Sequence, residues 1–436
     1  MRRLVRVLRI LGKSVLALLV LSVVTLGILR VVWGRQLAAE MEAIKARGEP
    51  LTMADLAQPQ VPDSQNAALV YEQAFKELSA FDSAEEEIVE ALDKGDWARA
   101  AELLSPYDHV VPLLERATSM PQCVFPPHGR QNEFADRPEV KLRTLACFLG
   151  YKARTSAGQG DADEAIHCIR LIVRMRAGSG RQARLMAFLC DVTRFSIASS
   201  ALRKCAAQVT INEAQAKELH EAFGKVDIGQ LYIGMLVAER AYTSDSLSLQ
   251  RTDLKRWFRK TLGPQHKLPP LYTDPIGLIW IKVFSLKDQA AYLHSMTQVI
   301  DSVGLSYRRF ESRGIGEKGV PFYAIITRML GTTQARTFST YSRSRADIAG
   351  SQIFLALLAY HDRYGSYPQT LEELRSKLGW PLEKDPFTGD DFVYRRQGEG
   401  FILYSLDEDL QDNGGLKFTK GSEYGTPRDI VWTVHR

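Results

Sequence analysis

The stretch that most limits how this chain can fold is its first 35 residues, MRRLVRVLRILGKSVLALLVLSVVTLGILRVVWGR. No charge occurs from Ser14 to Leu29, and continuing to Trp33 gives about twenty residues, the length at which a helix crosses a hydrocarbon layer of about 30 Å. A helix that is apolar all round is stable inside a large core or inside a bilayer. Arg30 stands near the far end, where its long stem can carry the guanidinium to the headgroups, and Trp33 suits the same interface. Five cations precede the run (Arg2, Arg3, Arg6, Arg9 and Lys13) and two flank it behind (Arg30 and Arg35), a bias that keeps the N-terminus in the cytoplasm. A cleaved signal peptide has a similar outline, but RVVWGRQLAAEM offers only the adjacent Ala38 and Ala39 and no A-x-A pair. The expectation is an uncleaved signal-anchor: a basic cytoplasmic tail at 1–13, a transmembrane helix at 14–33 in contact with lipid, and the remaining chain outside.

Charge excludes one large class of partner. The formal +5 is concentrated at the N-terminus, because residues 1–35 hold seven Lys or Arg and no acid, whereas residues 361–436 hold ten basic and fourteen acidic residues. The body therefore lacks the basic surface that nucleic acid demands, and no nucleic-acid partner is expected. With 436 residues, 45% apolar and 25% charged, the chain is long enough for two or three domains with real cores. Its five cysteines form no C-x-x-C, and four lie in helical patterns where the thiol acts as a small apolar group; a disulfide is allowed but not demanded.

Beyond the span, residues 34–62 read as a polar stalk broken by Pro50, Pro59 and Pro62. Residues 63–335 read as a helical domain. QNAALVYEQAFKEL places Ala68, Tyr71, Ala74 and Leu78 on one side, and RLMAFLCDVTRFSIASSALRKC carries a stripe of Leu185, Phe188, Leu189, Val192, Phe195 and Leu202. In LACFLGYKARTSAGQGDADEAIHCIRLIVRM one helix meets a GQGD break and a second helix follows, a helical hairpin with Gly150 and Ala165 at the approach. That hairpin resembles a tetratricopeptide repeat, and DKGDWARAAELL at 93–104 has the same Gly-Asp turn. The two are 65 residues apart, which is no multiple of 34, so hairpins rather than a repeat array are expected. Thr210 and Glu213 have capping-box spacing, as do Thr370 and Glu373. DPIGLIWIKVFSL is too short to span and carries Lys282, so it reads as a buried element. The basic and aromatic RTDLKRWFRK reads as a surface helix able to touch anionic headgroups.

Signatures of catalysis fail on context. GIGEKG at 314–319 fits G-x-G-x-x-G, yet SYRRFESR precedes it and Val320-Pro321 follows, where a strand and a helix are required. HEAFG at 220–224 lacks the second histidine of a zinc protease, and neither G-x-S-x-G nor a Walker loop occurs. No enzyme is expected on this basis. The alternative is an extracytoplasmic enzyme whose site is assembled from distant segments of the helical domain.

From about residue 338 the pattern changes. Ile348, Phe354, Leu358 and Tyr360 mark a helix ending near Gly365, TLEELRSKL a second helix, and DPFTGDDFVYRR, GFILYSL and RDIVWTVH three strands. The fold class read from the whole is mainly α, with an N-terminal transmembrane helix, a helical-hairpin middle and a small C-terminal α+β domain, a long helix on an antiparallel sheet, over 338–436. The last 95 or so residues resemble the major pseudopilin (G-type) of type II secretion systems. The likeness runs through Ala346-Asp347-Ile348, Leu355-Ala356-Leu357, Tyr360, Gly365, Tyr367-Pro368, Thr370-Leu371, Asp385-Pro386, Tyr394, Tyr404-Ser405-Leu406, Asp409, Gly414-Gly415, Asp429-Ile430 and Trp432. The resemblance implies a calcium ion in the loop after the second strand, bound by Asp409 and Asp429 with the Leu406 carbonyl and Asp412 as further donors, Asp407 lying beside them. Calcium takes six to eight oxygens, so clustered carboxylates are chemically suited to it. Asp407 stands where the family usually has glycine, and Lys417, Lys420 and Arg428 could neutralise the acids without metal. No prepilin-peptidase site precedes Ser14, and some 300 residues separate the span from the matching region, so a pilus subunit is not expected.

The expected role is that of a single-pass protein of the bacterial inner membrane with a periplasmic body. It would bind or scaffold a protein partner in the envelope, in connection with secretion or envelope assembly.

Overall fold

The computed structural model describes residues 2–56, 60–125, 137–176, 184–257, 274–314, 325–416 and 429–434. The protein is mainly helical, with a small antiparallel sheet near the C-terminus and an apolar helix at the N-terminus. Contacts divide it into two units. One comprises residues 1–56, 236–301 and 314–335; the other comprises 57–235, 302–313 and 336–436. Residues 34–46, expected as part of a stalk, continue the N-terminal helix, and the limit expected near 335–338 falls inside the helix Ile325–Tyr364.

In the first unit the N-terminal helix α1 (Arg2–Ala46) is one continuous rod, about 67 Å long at about 1.5 Å per residue. Its large apolar side chains from Ile10 to Val32 are 45–69% exposed, apart from the half-buried Leu26 and Leu29. Water does not favour so large an apolar cylinder, and the helix is long and apolar enough to cross a membrane. Beyond it α1 is amphipathic and buries Trp33, Leu37 and Ile44. Those residues pack on α12 (Ser285–Ile300), which follows a short helix, α11 (Pro275–Ile279), and a π-turn at Trp280–Phe284.

The α1 and α12 chains run in the same direction. Arg30 donates to the Lys282 carbonyl at 2.7 Å, the Trp33 and Phe284 rings are 5.2 Å apart, His294 lies 3.4 Å from Glu40, and Arg47 donates to Asp301 at 3.0 Å. Trp33, at the end of the apolar run, faces Phe284 and is buried. Helix α10 (Ile228–Thr252) gives its later residues to this unit, whose interior is unusually polar. Arg240 is fully buried and donates to Glu49 at 2.6 Å, while Asp288 accepts from the Thr327 amide and hydroxyl at 3.0 and 2.7 Å.

The second unit opens with α2 (Ala67–Glu77), α3 (Phe81–Lys94), α4 (Trp97–Leu104), α5 (Val111–Ser119), α6 (Pro138–Gly158), α7 (Ala162–Arg174), α8 (Leu185–Ala206) and α9 (Glu213–Gly224). Two hairpins share one turn construction. Gly95 and Gly160 take the left-handed conformation that ends a helix, and Asp96 and Asp161 each accept the amide of the residue three ahead at 3.0 Å. Gly150 lets α8 rather than the hairpin partner α7 close in, because a Cβ there would meet Ile197 of α8 at 3.1 Å and Ile172 of α7 only at 4.0 Å. The cap of α9 falls two residues later than the spacing at Thr210 suggested. Asn212 and Gln215 bond each other's backbone reciprocally, at 2.9 and 3.0 Å.

Helix α13 (Tyr307–Ser312) precedes the long helix α14 (Ile325–Tyr364), which starts earlier than the sequence suggested and ends at the left-handed Gly365. Helix α15 (Leu371–Leu378) is capped by Thr370 as expected, at 3.1 Å to the Glu373 amide. Strands β1 (Val393–Gln397), β2 (Gly400–Ser405) and β3 (Ile430–Val434) form an antiparallel sheet in that order, with β2 central and buried throughout. Gly350 of α14 receives the indole of Trp432: a Cβ there would lie 2.3 Å from the ring. Phe354 meets Phe401 at 5.8 Å on the same face.

Candidate functional site

A groove of about 980 Å³ runs in the second unit beside β3. Its walls are the last turns of α8 (Arg203, Lys204) with the following Gln208–Thr210, the Arg343–Asp347 turn of α14, and Asp407, Asp429 and β3. In the sheet formed by the described residues β3 is an edge strand, paired with β2. Each wall has a local cause. Basic residues at the end of α8 oppose the negative end of its dipole, and spacing of four residues puts Arg343 and Asp347 on one face of α14.

The charges are interlocked rather than free. Arg203 donates to Ser199 at 2.8 Å, lies 3.8 Å from Asp347 and covers the Trp432 ring at 5.6 Å. Ser351 bonds Ser199 at 2.8 Å. Burial pushes the Asp347 carboxyl above the usual range against the pull of Arg203, and burial likewise lowers Arg203. Arg343 donates to Asp407 at 2.8 Å and reaches Glu408 at 3.1 Å.

The five loop residues singled out in the sequence are placed as follows. Asp407 is buried, takes a left-handed φ of 58°, and accepts from Arg343 and from the Glu408 amide at 2.9 Å. Asp409 folds back on its own loop, accepting the Gln411 amide at 3.0 Å and the Asn413 side chain at 3.1 Å. Asp412 accepts from Tyr404 at 2.7 Å, from the Gly414 amide at 2.9 Å and from Arg395 at 3.2 Å; the Tyr404 bond holds its carboxyl below the usual range. Leu406 is half-buried against Ile402, Tyr404 and Val431. Asp429 is 4% exposed, and its Oδ2 accepts the Gly415 and Leu416 amides at 2.8 and 3.3 Å. Its Oδ1 has no partner among the described residues, and burial raises its carboxyl. Gly415 must be glycine: its φ is 81°, and a Cβ would meet Ile402 at 2.3 Å.

No group of three or more His, Cys, Asp or Glu suited to a metal forms among the described residues. The cations that meet this loop are Arg343, at Asp407, and Arg395, at Asp412. Both were missed in the sequence because they come from other elements, whereas Lys417, Lys420 and Arg428 lie outside the described residues. We expect millimolar calcium or a chelator to leave the thermal midpoint of the full chain unchanged, and Arg343→Gln to lower it. A midpoint that rises with calcium would restore the ion to this loop.

Other candidates are structural. His220 is buried against the Pro381 carbonyl at 3.2 Å and the Trp380 ring, and burial lowers its pKa. Of GIGEKG only Gly314 is among the described residues. All five cysteines are free, and burial holds the Cys147 and Cys190 thiols near 11, unsuited to nucleophilic work. No known protein family, curated protein or solved structure matches the chain significantly.

Proposed function

We propose that this chain is a membrane-anchored binding protein of the cell envelope, its body held outside the cytoplasm, with the groove beside β3 receiving an extended segment of a partner protein. The observation that carries the reading is the groove's mixed character. Arg203, Lys204 and Arg343 face Asp347, Asp407 and Asp429 next to the edge strand β3. A peptide offers both hydrogen-bonding senses and both charges, and addition to a sheet edge is a recurrent mode of peptide capture. The seven N-terminal cations and the exposed apolar face of α1 support the single-pass orientation in an inner membrane. The left-handed Asp407, at a position where pseudopilins carry glycine, supports kinship of the C-terminal region with that family. A catalytic reading would rest on Asp347; its partners are Arg203 and Ser199, and no histidine lines the groove among the described residues.

The test uses Gln208→Cys at the groove and Tyr364→Cys at a distant exposed position, treated in intact spheroplasts with a membrane-impermeant thiol-to-amine crosslinker. One discrete adduct is expected at Gln208→Cys and none at Tyr364→Cys, with the adduct lost when Arg203→Glu and Arg343→Glu are added. Equal adducts at both positions would remove the groove from consideration. Labelling only after lysis would place the body in the cytoplasm.

A further inference from the structure

We propose that α11 and the π-turn after it form a second membrane contact, in which Leu278 and Ile279 enter the interfacial layer of a bilayer containing anionic lipid beside the end of the span. The inference rests on the anchor reading of α1 and goes beyond it. From Lys282 to Asp301, the α12 segment keeps step with α1 from Arg30 to Arg47, since Lys282 pairs with Arg30, Phe284 with Trp33, His294 with Glu40 and Asp301 with Arg47. Two parallel helices rising about 1.5 Å per residue stay in register, so continuing backwards from Lys282 carries residues 278 and 279 past Arg30 toward Leu26. Leu26 and Leu29 are the half-buried residues of an otherwise exposed apolar run, as they would be with a neighbour at that level.

Leu278 and Ile279 are 37% and 38% exposed, while Ile281 and Val283 of the same segment are buried. The segment therefore has an inner face packed on the first unit and an outer apolar face that is partly exposed. It was expected as a buried element; Ile281 and Val283 are buried, and Leu278 and Ile279 are not. Charge complements this placement. Lys282 donates to the Arg251 carbonyl, which brings the turn bearing the exposed Lys255 and Arg256 to the same end of the unit as Arg30. Cations at a membrane surface favour anionic headgroups. The two carboxylates nearby are engaged locally: Asp274 accepts the Gly277 amide at 2.8 Å and Asp253 the Arg256 amide at 3.0 Å.

The full chain would be reconstituted in vesicles of phosphatidylcholine with phosphatidylglycerol, carrying a bimane on Leu278→Cys, Ile279→Cys, Val24→Cys or Leu69→Cys, with acyl-brominated lipid as quencher and the parent chain as background. Val24→Cys reports the span and Leu69→Cys an exposed surface of the second unit. Quenching is expected at Val24, Leu278 and Ile279 and not at Leu69. Replacing Lys255 and Arg256 by Gln, or omitting phosphatidylglycerol, should weaken it at Leu278 while leaving Val24 unchanged. Quenching at Val24 with none at Leu278 and Ile279 overturns the second contact and leaves the span intact. No quenching at Val24 overturns the anchor itself. Crosslinking between copies through Leu278→Cys without quenching would assign the face to a second copy of this chain and overturn the lipid assignment.

Discussion

Trp432→Ala is expected to destabilise the second unit by about 3–5 kcal/mol, the usual range for removing a large buried aromatic side chain. Trp432 is fully buried. Its indole fills the notch at Gly350, meets Phe392 edge-on at 5.9 Å and lies under Arg203. Filling the notch from the other side should also be harmful, because the first carbon added in Gly350→Val would fall 2.3 Å from the ring, and neither the α14 backbone nor the indole has room to retreat. The two changes should not add. With the indole gone the valine meets a cavity, so the double variant should lose clearly less than the sum of the single losses. Chemical denaturation of the detergent-solubilised chain, followed by circular dichroism, measures all three. Strict additivity would mean that the indole does not occupy this notch.

Arg194→Met is the second large effect, expected to cost about 3–5 kcal/mol because it strands a buried carboxylate. Arg194 and Asp191 are both buried in α8 and bonded at 2.8 Å. The same guanidinium donates to the Ile172 and Val173 carbonyls at 2.8 and 3.2 Å, and so caps the end of α7. Burial already raises the Asp191 carboxyl, with Arg194 opposing the rise. A carboxyl raised on folding binds its proton more tightly in the native state, so stability falls as pH rises from the unfolded value through the folded one. Without Arg194 the folded value climbs further. The deficit of Arg194→Met should therefore be smallest in acid, below the folded value of the parent protein, and grow to its full size toward neutrality. Adding Asp191→Asn should recover part of the loss at neutral pH and flatten that dependence. A deficit that does not change with pH would show that the cap on α7, rather than the charge pair, carries the effect.

What the sequence disclosed and what it hid differ in range. The apolar run of α1, the Gly-Asp turns at 95–96 and 160–161 and the Thr370 cap are local, and each depends on residues within one or two helical turns of one another. Spacing alone was insufficient even there, since Thr210/Glu213 and Asn212/Gln215 have equal spacing and only the second pair closes the capping box. Pairings across the chain left no such trace. Nothing near Lys282 announces Arg30, 252 residues away, and nothing near Asp407 announces Arg343, 64 residues away. The acidic loop shows in the sequence only its own carboxylates, whereas the cations that meet Asp407 and Asp412 arrive from α14 and β1. Asp191 and Arg194 were hidden for a different reason. They sit within a helix whose apolar stripe reads as ordinary core, and a buried ion pair three residues apart looks on paper like a solvated surface pair.

The unbroken course of α1 through Gly34 has a mechanical consequence. With no loop between its apolar part and the interior of the first unit, the heading of that unit about its own rod is fixed by helical phase, about 100° for each residue at 3.6 per turn. On the anchor reading proposed above, a tilt or twist of the apolar part would be transmitted as rigid-body rotation instead of being absorbed by slack. The helix would then act as an axle, and a bilayer would steer what is mounted on it.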